Sequence, residues 1–187
     1  MPKLVTAVTS AGALGGREQP VLDGVGLLLR PWEPSDVAVL VDAYSDPEIQ
    51  RWHARTMTAS EAQDWVATRS VRWTTEIGAE WAVTRDQVVV GRIGLRTLDL
   101  SEGSGEVAYW VLPGARGRGV ASRALAALTD WAFAEVGLHR AVLKHSTRNP
   151  ASCAVAERVG YQLEGTARSE VLHQDGWHDM HWHARLA

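Results

Sequence analysis

The sequence predicts an α+β fold in a single domain that spans residues 21–187. Short apolar runs bounded by glycine, proline or aspartate predict strands, and stretches with apolar residues three or four positions apart predict helices between them. The chain has 187 residues, 45% of them hydrophobic, which is enough for one sizeable core. Residues 1–20 are mostly small and polar, so we expect a mobile arm before the domain.

The first half of the chain predicts two helices set among strands. Residues 26–31 form a strand that a proline ends, and Pro34 then fits the first position of a helix that stops before Pro47. A capping-box pattern begins at Thr58 and introduces a second helix with an apolar face. Apolar runs on both sides of a short polar turn predict a hairpin over 81–90.

The second half of the chain predicts strands and helices in alternation. Residues 106–111 form a strand that leads through a glycine-rich turn into a long helix over 120–136. After a strand at 139–145, Asn149 caps a short helix and Gly160 ends it. Two strands complete the domain, at 161–168 and 177–186.

The turn before the long helix is basic and rich in glycine. A helix N-terminus presents unpaired backbone N–H groups and the positive end of the helix dipole, and glycine lets a bulky anion approach that backbone. We therefore expect a phosphate or pyrophosphate here, although a plain solvated turn stays open from this pattern alone. The turn lacks the lysine of a P-loop and the third glycine of a dinucleotide site. The residues predicted to hold the anion are Arg116, Gly117, Arg118, Gly119, Val120, Ala121 and Ser122.

This loop is one of several motifs that occur in a characteristic order. The others are Leu27–Trp32 with Asp36, Asp46–Ile49, Gly91–Leu95, Glu106–Trp110 and Asn149–Tyr161. Together they cover residues 25–187 and resemble the GNAT superfamily of N-acyltransferases, in the branch of the ribosomal-protein N-terminal (Rim-type) acetyltransferases. Tyr161 stands where this family usually has phenylalanine, which is a small departure.

The resemblance implies a GNAT fold, in which a mixed, mostly antiparallel sheet splays apart between its fourth and fifth strands and helices flank it. It also implies acetyl-CoA (coenzyme A) as cosubstrate. The Val111 backbone and Asn149 would contact the pantetheine arm, and Ser152 would lie near the sulfur and donate to the thiolate. A plain helix cap for Asn149 and a surface hydroxyl for Ser152 are the alternatives.

Glu106 is the predicted general base, acting directly or through a water, because it begins the strand beside the expected splay. An exposed strand-end carboxylate is the alternative. The family's acceptor cleft and the neighbouring polar strand face would supply substrate contacts. The residues predicted to make them are Trp32, Trp52, Trp73, Tyr109 and His181.

Two other features of the sequence could indicate a metal site or a nucleophilic cysteine. Asp179, His181 and His183 share one strand face and could bind a metal, but such a face more often lines solvent or a cleft, so we predict no metal. Cys153 has no partner base in the motifs, so we do not expect an acyl-cysteine intermediate.

The predicted function is transfer of an acetyl group from acetyl-CoA to a primary amine, by direct attack within a ternary complex. The amine would be a protein N-terminus or a small molecule, and a larger donor such as succinyl-CoA stays open. A non-catalytic acyl-CoA sensor or partner-binding module is the alternative from another class. A net charge of -3, one cysteine and no membrane-length apolar run predict a cytoplasmic monomer or homodimer without nucleic-acid or membrane partners.

Overall fold

The computed structural model describes residues 4–187 as one eight-stranded sheet flanked by helices. The strands are β1 (Leu22–Asp23), β2 (Leu28–Pro31), β3 (Ala79–Arg85), β4 (Val88–Asp99), β5 (Ser104–Val111), β6 (Arg140–Ser146), β7 (Gln162–His173) and β8 (Gly176–Leu186). The helices are α1 (Val37–Ala43), α2 (Pro47–His53), α3 (Ala59–Ala67), α4 (Arg69–Thr74), α5 (Val120–Ala134) and α6 (Pro150–Arg158). Short 3-10 turns occupy Pro34–Asp36 and Pro113–Ala115.

The sheet is antiparallel except at its centre, and there it opens. Its strand order is β1-β2-β3-β4-β5-β6-β8-β7, and β5 and β6 pair in parallel only from Ser104 with Arg140 to Val107 with Leu143. Beyond these pairs β5 continues along β4, and β6 continues along β8. A gap therefore opens between β5 and β6, which are the fourth and fifth predicted strands because β1 was not predicted. This confirms the predicted α+β fold with a mixed, splayed sheet.

Each face of the sheet carries its own apolar core. Leu125 and Leu128 of α5 and Tyr161 pack on one face, and Leu40 of α1 and Trp110 of β5 pack on the other. Leu125, Leu128 and Leu40 are completely buried. Helices α5 and α6 thus cover one side of the central gap, and α1 to α3 cover the other.

The helical segment between β2 and β3 is more divided than the sequence predicts. An unpredicted helix, α2, begins at Pro47, and the Asp46 side chain caps it by accepting from the Ile49 backbone N–H at 3.0 Å. The second predicted helix is two helices, which meet at Thr68. The Asp-Pro pair that was expected to end a helix therefore begins one, because proline fits the first helical turn and aspartate its cap.

The segment before the predicted domain packs against it. Leu14 is buried in the main core, and the indole N–H groups of Trp73 and Trp81 donate to the carbonyls of Arg17 and Pro20 at 2.7 and 2.8 Å. The Thr9 backbone N–H donates to the Leu100 carbonyl. The expected arm over residues 1–20 is thus corrected for residues 8–20, which belong to the folded unit; residues 1–3 lie outside the described part of the chain.

A buried ion pair joins β3 and β4 beneath α1 and α3. The Arg92 guanidinium makes two hydrogen bonds with the Glu80 carboxylate, at 2.6 and 2.8 Å, and a third with the Tyr44 hydroxyl at 3.3 Å. Gly94 lies against this carboxylate so closely that a Cβ there would collide with Glu80 and with the Ala79 carbonyl. The ion pair between Glu80 of β3 and Arg92 of β4, together with the close contact at Gly94, therefore constrains how these two strands pair.

We expect Glu80→Met to lower the free energy of unfolding by about 3–5 kcal/mol, because it leaves the buried Arg92 charge without its partner. The double variant Glu80→Met, Arg92→Met removes both charges, so it should lose much less stability than the single variant. Urea denaturation of the three proteins measures this difference. A single variant that unfolds at the wild-type midpoint would show that the pair does not bear on stability.

Candidate active site

The N-terminus of α5 is open toward the loop that precedes it. Gly117 and Gly119 both have a φ of 71°, a left-handed conformation that favours glycine, and Gly119 is the residue that precedes the helix. Within residues 4–187, no side chain caps this end of α5. The backbone N–H groups of Val120, Ala121 and Ser122 therefore remain available to an anion, as the sequence predicts.

Arg123, in the first turn of α5, hydrogen-bonds to backbone carbonyls of this loop and of the segment before β2. Its guanidinium donates to the carbonyls of Val25, Arg118 and Gly119 at 2.7, 3.2 and 3.4 Å. A shallow groove continues from Ser122 and Arg123 between α5 and α6. Two further arginines, Arg158 and Arg185, line it, so the groove carries positive charge beside the helix N-terminus.

Arg116 is engaged elsewhere than the sequence predicts. Its Nε donates to the Val111 carbonyl at 3.0 Å and its Nη2 to the Asp46 carboxylate at 2.6 Å. Burial would raise the pKa of the Asp46 carboxyl, but hydrogen bonds from Arg116 and the Ile49 backbone lower it. Arg116 thus ties the loop to α2, and it also bonds to the carbonyl of Val111, the residue whose backbone was expected to contact the pantetheine arm. Arg118 is exposed.

Two hydroxyl groups meet on the α6 side of the gap. The Tyr109 hydroxyl and Ser152 Oγ lie 2.8 Å apart, and the Asn149 side chain caps α6 by accepting from the Ser152 backbone N–H at 3.1 Å. Burial raises the pKa of Tyr109 to about 12, so its hydroxyl stays protonated at neutral pH. The structure therefore brings three of the predicted residues together on one side of β5.

Glu106 projects from the other face of β5. Side chains alternate along a strand, so Glu106 and Trp110 share one face while Tyr109 lies on the opposite one. The Glu106 carboxylate lies 3.6 Å from Lys144 Nζ and 3.7 Å from Arg96 Nη1. Lys144 also contacts Glu170 at 3.5 Å. A carboxylate with nearby cations thus borders the gap opposite the hydroxyl pair.

The predicted tryptophans separate into different environments. Trp32 is buried against Trp65 and Trp110 on the α1 to α3 side. Trp52 of α2 is half-buried, with the Arg51 guanidinium 4.6 Å from its ring centre. Trp73 is a correction: it packs in the main core against Trp81 and Trp131, where burial leaves it no surface for a substrate.

His53, at the end of α2, was not predicted as part of the site. Its ring centre lies 6.2 Å from that of Tyr44, and the Tyr109 backbone is nearby. Burial and the Arg92 charge lower its pKa to about 3, so this imidazole is neutral at physiological pH. Only the three-dimensional proximity of α2 to β5 could reveal it, since no motif links the two segments.

His181 lies on the α6 side of the sheet and not beside Trp32, which corrects its predicted place among the acceptor contacts. Its neighbours are His145 of β6 and His183, with ring centres 5.4 and 6.0 Å away, and Cys153 of α6. Asp179, which was grouped with these histidines, instead accepts from the Ser169 backbone N–H at 2.8 Å. The sequence does not reveal that His145 and Cys153 lie beside these two histidines, because His145 comes from β6 and Cys153 from α6.

Comparison with known proteins agrees with this geometry. The acetyltransferase (GNAT) domain family matches residues 26–162. YdaF of Bacillus subtilis (strain 168), whose name assigns it provisionally to the ribosomal N-acetyltransferases, is 26% identical over 166 residues, 86% of this chain and 91% of its own. The ribosomal-protein-serine acetyltransferase of Escherichia coli (strain K12) is 30% identical over 105 residues, 56% of this chain and 58% of its own.

The fold has close structural relatives as well. A solved structure of RimL, a ribosomal alpha-N-protein acetyltransferase in complex with coenzyme A, superposes with a TM-score of 0.83 at 20% identity, covering 89% of this chain and 97% of that one. The chain belongs to the GNAT acetyltransferase family, and it is a coenzyme A-dependent N-acetyltransferase. The GNAT resemblance predicted from the sequence motifs is confirmed, and the relatives named for ribosomal-protein acetylation support the Rim-type branch.

We expect Gly119→Val to weaken coenzyme A binding about 10- to 100-fold, because a branched side chain at this position blocks an anion from the N–H groups of α5, and a hydrogen bond to a charged group contributes roughly 1.5–3 kcal/mol. Isothermal titration calorimetry measures the affinity. Gly137→Val is the matched control, since Gly137 also has a positive φ, of 77°, but lies after the C-terminal end of α5. Equal affinities in the two variants would contradict the assignment.

Proposed function

We propose that this enzyme moves an acetyl group from acetyl-CoA to the α-amino group of a protein, by direct attack within a ternary complex. The gap between β5 and β6 carries the proposal. It has a carboxylate, Glu106, on one face of β5 and the hydroxyl pair of Tyr109 and Ser152 on the other. A base and a proton donor on opposite sides are what transfer from a thioester to an amine needs.

The donor would lie along the α6 side of the gap. Its pyrophosphate would accept from the backbone N–H groups at the start of α5, and the groove of Arg123 and Arg158 suits a further phosphate. The thioester would then reach the hydroxyl of Ser152. The Val111 carbonyl accepts one hydrogen bond from Arg116 and has a second lone pair that could accept from the pantetheine arm.

The acceptor would enter from the side of Trp110 and Glu106. The Glu106 carboxylate would accept a proton from the ammonium group, and the free amine would then attack the thioester carbonyl. The nitrogen would lose its second proton to solvent as the tetrahedral intermediate collapses to the amide. As the carbon–sulfur bond breaks, the hydroxyl pair donates to the thiolate. Tyr109 suits this role because burial raises its pKa to about 12, so its hydroxyl keeps its proton and can donate a hydrogen bond to the thiolate.

Cys153 is unsuited to an acyl-enzyme route. Its thiol donates to the Glu157 carboxylate at 3.5 Å, and both burial and this contact raise the thiol's pKa. A raised pKa reduces the fraction of reactive thiolate. The direct route therefore needs no group beyond those already placed at the gap.

A protein N-terminus is the proposed acceptor because relatives of this chain carry names for that reaction. The E. coli relative is named for a ribosomal-protein serine, and RimL for a ribosomal alpha-N-protein. The half-buried Trp52 and the arginine stacked on it offer a contact surface on the acceptor side. A small-molecule amine and a larger acyl donor are the competing candidates for the same gap.

A panel of acceptors tests this proposal, with release of free thiol from acetyl-CoA as the readout. We expect turnover with peptides that have a free N-terminal serine or alanine, and little with the same peptides after N-terminal blocking or with an aminoglycoside. Initial rates should give intersecting plots, as a ternary complex requires. Thiol release only with small amines, or preference for succinyl-CoA, would contradict the proposed substrates, and coenzyme A binding without any turnover would identify a sensor.

We expect Glu106→Gln to lower kcat/KM about 10²- to 10⁴-fold, most strongly at pH values where the amine is still protonated, because glutamine cannot accept the proton. Glu170→Gln is the matched control, since Glu170 contacts the same Lys144 ammonium from β7. A pH–rate profile for each variant separates the two roles. Similar losses in both variants would indicate that Glu106 acts only by holding Lys144.

A further inference from the structure

Four potential metal ligands meet where α6 packs on the sheet. His145 comes from β6, Cys153 from α6, and His181 and His183 from β8. One ligand atom from each side chain lies within 4.8 Å of the other three. We call this group the Cys-His cluster.

The hydrogen bonds of the cluster leave lone pairs directed inward. His145 Nδ1 lies 2.8 Å from the Ser146 carbonyl, which can only accept, so Nδ1 carries the hydrogen and Nε2 has the lone pair. By the same reasoning His183 Nδ1 donates to the Tyr161 carbonyl at 3.4 Å, and its Nε2 lies 3.8 Å from Cys153 Sγ. A backbone carbonyl behind a ring nitrogen is the usual support of a metal-bound histidine.

Two ring nitrogens of the cluster have no partner. In the described part of the chain, His145 Nε2 and His181 Nδ1 are buried and make no hydrogen bond, and the whole His145 residue is only 6% exposed. Buried polar atoms are nearly always satisfied, so each of these needs an explanation. A cation bound between them would satisfy both.

We propose that the Cys-His cluster is a transition-metal site, which takes a zinc ion through one thiolate and three imidazoles. Zinc favours four sulfur and nitrogen ligands in a tetrahedron, whereas calcium and magnesium favour oxygen. Around tetrahedral zinc, ligand atoms stand about 3.3–3.7 Å apart, given bonds of about 2.0–2.3 Å. The observed 3.8 Å between Cys153 Sγ and His183 Nε2 is close to this spacing, and atoms as far apart as 4.8 Å would approach each other by about 1–1.5 Å on binding.

The charge of the cluster suits a divalent ion. Binding replaces the thiol proton of Cys153, which leaves for solvent, with a metal–sulfur bond, and the three neutral imidazoles add no charge. The Glu157 carboxylate, which now accepts from the thiol, stays beside the sulfur and offsets the remaining positive charge. Cys153 and His181 are half-exposed, which gives the ion a path from solvent.

The ion would join three elements that meet at the gap. It would bridge α6 to β6 and β8 next to Ser152, the residue before Cys153. The site would therefore hold the first turn of α6 against the sheet, and it would do so without taking part in acetyl transfer. All four ligands come from regular secondary structure, which suits a rigid structural site.

Cobalt(II) titration of the reduced, chelator-treated full-length protein tests the proposal. We expect one equivalent to bind with the visible bands of tetrahedral cobalt and a near-ultraviolet sulfur-to-cobalt charge-transfer band, and zinc to displace it with a Kd below about 1 μM. Cys153→Ser should abolish the charge-transfer band, and His181→Gln should weaken zinc binding at least about tenfold. His139→Gln is the matched control, because His139 is exposed and lies outside the cluster.

A second measurement needs no substitution. Cys153 is the single cysteine of the chain, so its rate of alkylation by iodoacetamide reports on this site alone. Stoichiometric zinc should slow alkylation of the wild-type protein at least about tenfold, since a metal-bound thiolate is shielded. Failure to bind one equivalent of cobalt or zinc, unchanged alkylation, or equal zinc affinity in His181→Gln and His139→Gln would each overturn the proposal.

Discussion

The separation of β5 from β6 is the constraint on which the rest of this structure depends. Backbone groups within a sheet must find partners, so two central strands can part only where something else occupies their edges. Here the four pairs from Ser104 to Val107 hold the strands together at one end, and the pairings with β4 and β8 hold each strand rigid beyond it. The gap is thus framed by continuous sheet on both sides.

The same separation explains why functional groups divide between two faces. A strand presents alternate residues to opposite sides, so β5 delivers Glu106 toward α1 to α3 and Tyr109 toward α6 without any loop. Helix α5 begins at Val120, after the glycine-rich loop that follows β5, and no side chain among the described residues caps its N-terminus. Strand β5 and helix α5 therefore supply the carboxylate, the hydroxyl and the helix N-terminus on which the proposed function rests.

Local patterns in the sequence predicted most of the fold, because the relevant signals are short in range. The turn at Gly117 and Gly119, the Asn149 cap and the alternation of β8 each depend on a few neighbouring residues. The buried pair of Glu80 and Arg92 was beyond such reasoning, since a charged residue in an apolar strand indicates nothing about its partner. Trp73 and His181 were misplaced for a related reason: a periodic pattern shows that a side chain is buried or shares a face, but not which face meets which helix.

The contact between Arg116 and Asp46 has a consequence for how the two halves of the site communicate. Asp46 caps α2, the helix that carries Trp52 and His53, while Arg116 belongs to the loop before α5. An anion that draws Arg116 away removes a charge from that cap and frees the Val111 carbonyl in the same event. Occupancy at one end of the gap would then be thermodynamically linked to the position of α2 at the other, and linkage of this kind is reciprocal. A molecule that binds and holds α2 in place would change the affinity of the loop for the anion. The factor would equal the one by which the anion changes the affinity for that molecule.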